Sequence, residues 1–181
     1  MRGAAVLVIA GVLAEKCVQI PKNSLAFCSM VDYQAVVDDK DPTGKSADDE
    51  AKTHYDNVDQ ILLRFGCSTT YSLYTCADCR DAYKYWVCAA KFQKCGGATQ
   101  DMYGLCPDPT TDTACDNYRV RMCVSLCEDV IRKCPFVLQF QCPDTETPFF
   151  SSSISTCNKL DRVYHPDMPD KPWPGSFALE S

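Results

Sequence analysis

The stretch "CADCRDAYKYWVCAAKFQKC", Cys76 to Cys95, puts four cysteines and four aromatic residues into twenty positions. Three readings compete for it: a redox dithiol, a metal site or a cross-linked helix. Its apolar spacing predicts a helix over 77–94, closed by Gly96 and Gly97. Cys88, Phe92 and Cys95 share one stripe at i, i+4, i+7, and Cys79, Tyr83 and Trp86 repeat that spacing on a neighbouring one. Two cross-linkable stripes mean a helix covered on more than one side.

Outside this stretch the chain supplies ten more cysteines, 17, 28, 67, 106, 115, 123, 127, 134, 142 and 157, so the total of 14 is even. All of them follow Ala14 of "MRGAAVLVIAGVLAEKC", where Arg2, an apolar run from Gly3 to Ala14 and small residues before Glu15 match a secretory signal over 1–14, cleaved after Ala14. The run is shorter than the about 20 apolar residues that span a bilayer. An even cysteine count entering an oxidising lumen reads as seven disulfides rather than thiols or zinc ligands. No other run is apolar enough to cross a membrane, and the tail over 161–181, with "HPDMPDKPWPGSFALES", lacks the hydrophobic end of a lipid-anchor signal. Membrane association is therefore expected only through a partner. The formal net charge of −6 and the absence of a Lys/Arg cluster argue against nucleic acid as a ligand. None of the four asparagines (23, 57, 117, 158) begins an N-x-[ST] acceptor, which leaves the surface open to a protein partner.

The remaining segments read as follows. "CVQIPKNSLAFCSMVDYQAVV" is extended or irregular, and "DDKDPTGKSADDE" is a charged loop. A helix then starts with Ser46 as N-cap and Asp49 three residues on; Ala51, Tyr55, Val58, Ile61, Leu62 and Phe65 form its apolar face, and Gly66 ends it. "CPDPTTDTAC" is a surface loop whose end cysteines, 106 and 115, can close on each other. A third helix is expected over 116–133, with Cys123, Cys127, Val130, Ile131 and Cys134 on one face before Pro135. "FVLQFQC" is a short strand or a buried connector, "SSSIS" a loop, and the Pro-rich end a disordered tail.

Catalytic and metal readings compete poorly with structural ones. Cys76-x-x-Cys79 has redox spacing, but one pair among fourteen cysteines serves equally as two structural half-cystines. Cys123-x3-Cys127 is only a loose second pair for zinc. Asp39, Asp41, Thr43, Gly44 and Glu50 fall on EF-hand positions 1, 3, 5, 6 and 12, a weak calcium-loop candidate weighed against a solvated acidic loop. Gly44-Lys45-Ser46 resembles the end of a phosphate loop, yet Asp39 stands where its first glycine belongs. With His54 and His165 the only histidines, no Ser/His/Asp or Cys/His set assembles, and neither an enzyme nor a cofactor is expected. Tyr83, Tyr85 and Trp86 are a candidate ligand platform or, by their burial preference, core.

Two blocks, "CADCRDAYKYWVCAAKFQKC" and "CVSLCEDVIRKCPFVLQFQCP", resemble the cysteine-rich region of the Mid family of fungal calcium-channel regulatory subunits and of the animal sodium leak channel's auxiliary subunit. Cys76, Cys79, Ala82, Tyr83, Trp86, Cys88 and Cys95 fit its first motif, and Cys123, Cys127, Cys134, Pro135, Cys142 and Pro143 its second. That region is in turn similar to the Frizzled-type cysteine-rich domain. The resemblance implies a mainly α, disulfide-rich, Frizzled-like fold over 15–160, with short strands and long irregular loops. It also implies the bridges Cys17–Cys95, Cys28–Cys88, Cys67–Cys134, Cys127–Cys142 and Cys123–Cys157, leaving Cys76 to pair with Cys79 and Cys106 with Cys115. Two positions depart from the pattern: Gln93-Lys94 stand where the family often has proline, and Tyr33-Gln34-Ala35 replace a Frizzled Tyr-Asn-x-Thr segment. The function implied is that of a non-catalytic, extracellular or lumenal auxiliary subunit held on a pore-forming cation channel subunit. The alternative is a free-standing Frizzled-like module that binds a lipid or secreted ligand.

Overall fold

A computed structural model describes residues 15–66, 73–96, 102–103, 119–143 and 149–160. The domain is mixed rather than mainly α: three helices, short strands and five disulfides between described cysteines. The expected signal over 1–14, Cys67, Cys106, Cys115, the Cys106–Cys115 bridge, His165 and the tail over 161–181 all lie outside the described residues.

The first segment is a hairpin. Strand β1 (Glu15–Ile20) pairs antiparallel with β2 (Tyr33–Asp38), Cys17 facing Val36 and Val18 facing Ala35. Val18 and Ile20 alternate along β1, while β2 carries Val36 and Val37 in succession and buries Ala35, Val36 and Val37, so it is covered on both faces.

Helix α1 (Lys45–Phe65) begins two residues before the expected start, and Ser46 is not its cap. Gly44 occupies the cap position at φ 70°, while Asp41, three residues upstream, accepts from the Ser46 amide (2.6 Å) and the Thr43 hydroxyl (2.6 Å). Both hydrogen bonds hold the Asp41 carboxyl below its ordinary range, the Thr43 hydroxyl contributing most. Gly66, at φ 71°, ends the helix and donates its amide to the Leu62 carbonyl.

Helix α2 (Cys76–Lys91) is the central element, capped by Thr75 and Asp78 in a reciprocal capping box. It is buried on several faces, with Cys79, Ala82, Tyr85, Cys88 and Ala89 almost wholly enclosed. α1 lies antiparallel to it, as Glu50 pairs with Lys91 (2.6 Å) near one end of the contact and Asp59 with Arg80 (2.5 Å) further along. The expected end at Lys94 gives way to Lys91, because the next residues extend the hairpin sheet. The Val36 amide donates to the Gln93 carbonyl (2.9 Å), and the Cys95 amide to the Gln34 carbonyl (2.7 Å). Strand pairing here outweighs three more residues of helix.

Short strands connect α2 to the last helix. β3 (Met102–Tyr103) pairs antiparallel with β4 (Arg119–Val120). β5 (Met122–Cys123) runs parallel to β6 (Phe150–Ser151), which interrupts the expected serine loop. Helix α3 (Val124–Lys133) therefore starts eight residues later than the spacing predicted, since 119–123 are drawn into strand pairing. Ile131, expected on its buried face, is half exposed. Beyond Pro135, "FVLQFQC" is neither strand nor buried connector: Phe136–Leu138 form a 3-10 turn with Phe136 in solvent.

Candidate functional site

The chemistry-bearing residues of this chain are its sulfurs, and the structure places them as cross-links. Cys17 joins Cys95 across the sheet edge, Cys28 joins Cys88 between the hairpin loop and α2, Cys123 joins Cys157, and Cys127 joins Cys142. These four are pairs that the family resemblance implies. The fifth differs: Cys134 bonds to Cys79, with Cα atoms 4.6 Å apart, not to Cys67. Cys76 is also disulfide-bonded, so the expected Cys76–Cys79 bridge is absent. The reason is helix geometry. Residues three apart on a helix hold their Cβ atoms about 5 to 6 Å apart, whereas a disulfide needs about 3.8 Å. Cys134, where α3 ends, comes within that reach of Cys79. Among the described residues no cysteine is free. A C-x-x-C pair with both sulfurs committed elsewhere is a double anchor for the start of α2, not a redox couple.

The family-motif residues serve the same framework. Ala82 is fully buried, and the Tyr83 ring stacks obliquely on Trp86 (5.5 Å between centroids). Phe140 meets both rings edge-on, 4.9 Å from Trp86 and 6.0 Å from Tyr83. Burial raises the Tyr83 phenol above its ordinary value. Tyr85 is wholly enclosed. These aromatics close the core around α2 rather than lining an open platform. Pro135 follows α3 and precedes the 3-10 turn, which its missing amide and fixed φ suit; Pro143, next to Cys142, is half-buried.

The calcium-loop candidates are not brought together. Asp39 pairs with Lys16 (2.6 Å), Asp41 and Thr43 bond to each other in the turn before α1, and Glu50 reaches across to Lys91 of α2. The Lys91 ammonium, aided by His54, holds the Glu50 carboxyl below its usual range. His54 thereby sits on an exposed helix face against Glu50 (3.6 Å), far from a catalytic arrangement. Among the described residues no group of three or more His, Cys, Asp or Glu is placed to hold a metal ion, and no helix is long and apolar enough to cross a membrane.

Two polar fixtures escaped the sequence reading. Asp48 is 3% exposed, and its carboxylate accepts from the amides of Cys28 (2.7 Å) and Phe27 (2.9 Å), so α1 grips the loop that carries the Cys28–Cys88 bridge. The signal was an aspartate on the apolar side of α1, three residues before Ala51, indistinguishable from its acidic neighbours without the fold. The second is Tyr33, which donates to the Phe92 carbonyl (2.7 Å) and accepts from the Asn158 amide (3.4 Å), linking β2, the end of α2 and the C-terminal segment. Burial raises its phenol well above 10, with Asn158 pulling back slightly.

Among the described residues, packed helices, three two-stranded sheets and disulfides spanning 15 to 78 positions in sequence define a cysteine-rich scaffold domain, shaped by covalent links between distant elements. The chain belongs to the Mid1 family, described as stretch-activated Ca2+-permeable channel component, whose profile matches residues 14–120. Its relatives include the stretch-activated cation channel MID1 of Saccharomyces cerevisiae, 28% identical over 176 residues that cover 78% of this chain and 32% of the yeast protein. The stretch-activated cation channel yam8 of Schizosaccharomyces pombe is 30% identical over 138 residues, 66% of this chain and 28% of yam8. The chain thus spans about a third of the length of the curated relatives it matches. No solved structure matches it.

Proposed function

We propose that this chain is a non-catalytic auxiliary subunit of a four-repeat, voltage-gated-like, Ca2+-permeable cation channel, seated on the outer loops of the pore-forming subunit and supporting its assembly, trafficking or gating. The observation that carries the reading is membership of a channel-component family through a match that takes in the α1 and α2 framework. The sulfur chemistry supports an extracellular or lumenal place, since such bridges persist only in oxidising compartments. The same reading takes 1–14 as a secretory signal, 15–160 as the domain and 161–181 as a tail. A Frizzled-like fold is part of the proposal, supported by the four bridges shared with that pattern. Rigidity suits the role, because a cross-linked cap loses little conformational entropy on docking. The formal charge of −6 also raises the local cation concentration near a pore mouth.

The test is affinity capture with the tagged full chain from detergent-solubilised membranes of its own organism. Recovery of a polytopic four-repeat cation channel is the expected result. Recovery of no polytopic protein refutes the subunit reading, and recovery of a secreted ligand or lipid in its place supports the free-standing module.

A further inference from the structure

Cys76 is disulfide-bonded, yet every other described cysteine is already taken by one of the five bridges. Its partner is therefore Cys67, Cys106 or Cys115, the three cysteines outside the described residues. Reach along the chain separates the three.

Cys76 opens α2 and packs against the buried pair Leu62 and Cys79, so the start of α2 meets the last turn of α1. The pairs Glu50–Lys91 and Asp59–Arg80 fix an antiparallel register in which each step up α1 is a step down α2. Carried forward, that register sets Cys76 level with the turn from Leu63 to Phe65, directly before Gly66 ends the helix. Cys67 is the next residue, its Cα about 3.8 Å from that of Gly66. Packed helices run about 8 to 10 Å apart, and a disulfide joins Cα atoms up to about 7 Å apart. A residue that has just left α1 beside the start of α2 has little distance to close.

Cys106 and Cys115 depart from the other end of α2. Tyr103 pairs with Arg119 between β3 and β4, Arg119 bridges to Cys95, and the Val120 amide donates to the Lys94 carbonyl (2.8 Å), all past the last residue of the helix. A helix of 16 residues is about 24 Å long. The three residues from Tyr103 to Cys106 span at most about 11 Å, too little even with the length of a bridge added. The four from Arg119 back to Cys115 span about 14 Å at full extension, so Cys115 meets Cys76 only by running straight along the whole of α2.

We infer that Cys67 and Cys76 form a disulfide that ties the end of α1 to the start of α2. One S–S bond replaces two S–H bonds, and the two protons and two electrons pass to an oxidised protein disulfide, which becomes a dithiol. The bridge closes the loop over 68–75 and leaves Cys106 and Cys115 for each other. The first turn of α2 is then held from two sides, by Cys76 to the end of α1 and by Cys79 to Cys134 at the end of α3. α1, gripped in its first turn by Asp48, gains a covalent anchor at its far end.

The test is a disulfide map of the full chain, denatured without reductant at about pH 6 with free thiols alkylated, since exchange needs thiolate. Digestion with trypsin, chymotrypsin and a protease that cuts before aspartate separates the sulfurs: cuts after Phe65, Tyr71, Tyr74 and Arg80 and before Asp78 give 66–71, 75–77 and 78–80, and cuts after Lys133 and Phe136 give 134–136. Mass spectrometry should find 66–71 linked to 75–77 and, separately, 78–80 linked to 134–136. Linkage of 66–71 to 78–80, to 134–136 or to a fragment carrying Cys106 or Cys115 overturns the inference, and so does alkylated Cys67. In Cys67→Ser the free thiols should rise from none to one per chain, alkylated at Cys76. Alkylation at Cys106 or Cys115 in its place overturns it equally, and the map of the unaltered chain decides the matter if that variant does not fold.

Discussion

Replacing Asp48 removes a buried polar grip that α1 has on the Cys28 loop, and the structure sets the size of the effect. Its carboxylate accepts two amides, Cys28 at 2.7 Å and Phe27 at 2.9 Å, in a site only 3% exposed. Hydrogen bonds to a charged group are worth about 1.5 to 3 kcal/mol each, and amides left buried without a partner keep most of their desolvation cost. Asp48→Ala should therefore destabilise by about 3 to 5 kcal/mol, allowing for partial rescue by water. Asp48→Asn keeps one acceptor oxygen and should cost about 1 to 2 kcal/mol. Its neighbour Asp49 is the internal control: it pairs with Lys45 at 2.6 Å, but both side chains are well exposed. An exposed pair of this kind is worth less than about 1 kcal/mol. The assay is urea unfolding at neutral pH without reductant, so that the disulfides stay intact and the transition remains cooperative. With a urea slope of about 2 kcal/mol per molar, Asp48→Ala should lower the midpoint by about 2 M. If Asp48→Ala and Asp49→Ala shift the midpoint equally, Asp48 is not holding the loop, and the Cys28–Cys88 bridge alone positions it.

Three further outcomes are expected. At Gly44 (φ 70°, ψ 12°) a Cβ would stand 2.8 Å from the Phe92 ring, so Gly44→Ala should cost more than the about 1 to 2 kcal/mol of a left-handed alanine, while Gly66→Ala, whose Cβ meets nothing within 4 Å, should still cost about 1 to 3 kcal/mol because φ 71°, ψ 168° is backbone that essentially only glycine adopts; urea unfolding of both variants checks this. Thr75→Ala breaks the capping box at the start of α2 and should cost about 1 kcal/mol by the same urea assay. Burial raises the Tyr33 phenol, so the folded state holds its proton after the unfolded chain has lost it; stability is full below pH 10 and falls as the pH rises above it. Thermal melts from pH 8 to 11 should show that fall in the parent and a shallower one in Tyr33→Phe, which should also be less stable at pH 8 through loss of the 2.7 Å bond to the Phe92 carbonyl.

What the sequence revealed and concealed follows from the range of the forces involved. The α1 and α2 helices and the stop at Gly66 are written in local periodicity and glycine, which act over one or two turns. The early end of α2 and late start of α3 were hidden because pairing partners decide them: Gln93 to Cys95 meet β2, sixty positions away, and Met122 meets Phe150. The Cys79–Cys134 bridge was likewise a matter of where two helices cross. Asp48 looked like one more charge in an acidic run, and Phe136 like one more core aromatic; only assembly separates the buried carboxylate from the exposed ring.

The exposed ring and the cross-links belong to one physical account. A domain this small has limited apolar surface to bury, yet it leaves Leu63, Phe65 and Phe136 in water, forgoing about 1.5 to 3 kcal/mol for a fully buried side chain of that type. Disulfides contribute about 2 to 4 kcal/mol each by restricting the unfolded chain, and the five described here join α2 and α3 to other elements: Cys79–Cys134 ties α2 to α3, while Cys17–Cys95 and Cys28–Cys88 tie the hairpin and its loop to α2 and the residues after it. α1 lacks a described bridge of its own and depends on Asp48, the Glu50–Lys91 and Asp59–Arg80 pairs and the Leu62 contact. The covalent framework thus offsets the apolar surface kept outside, and the element that carries Leu63 and Phe65 is the one held by noncovalent contacts alone among the described residues. Loosening α1, as Asp48→Ala does, should therefore speed amide hydrogen exchange along α1 while α2 and α3, held by sulfur, keep their protection; equal loss of protection in all three helices would refute this order.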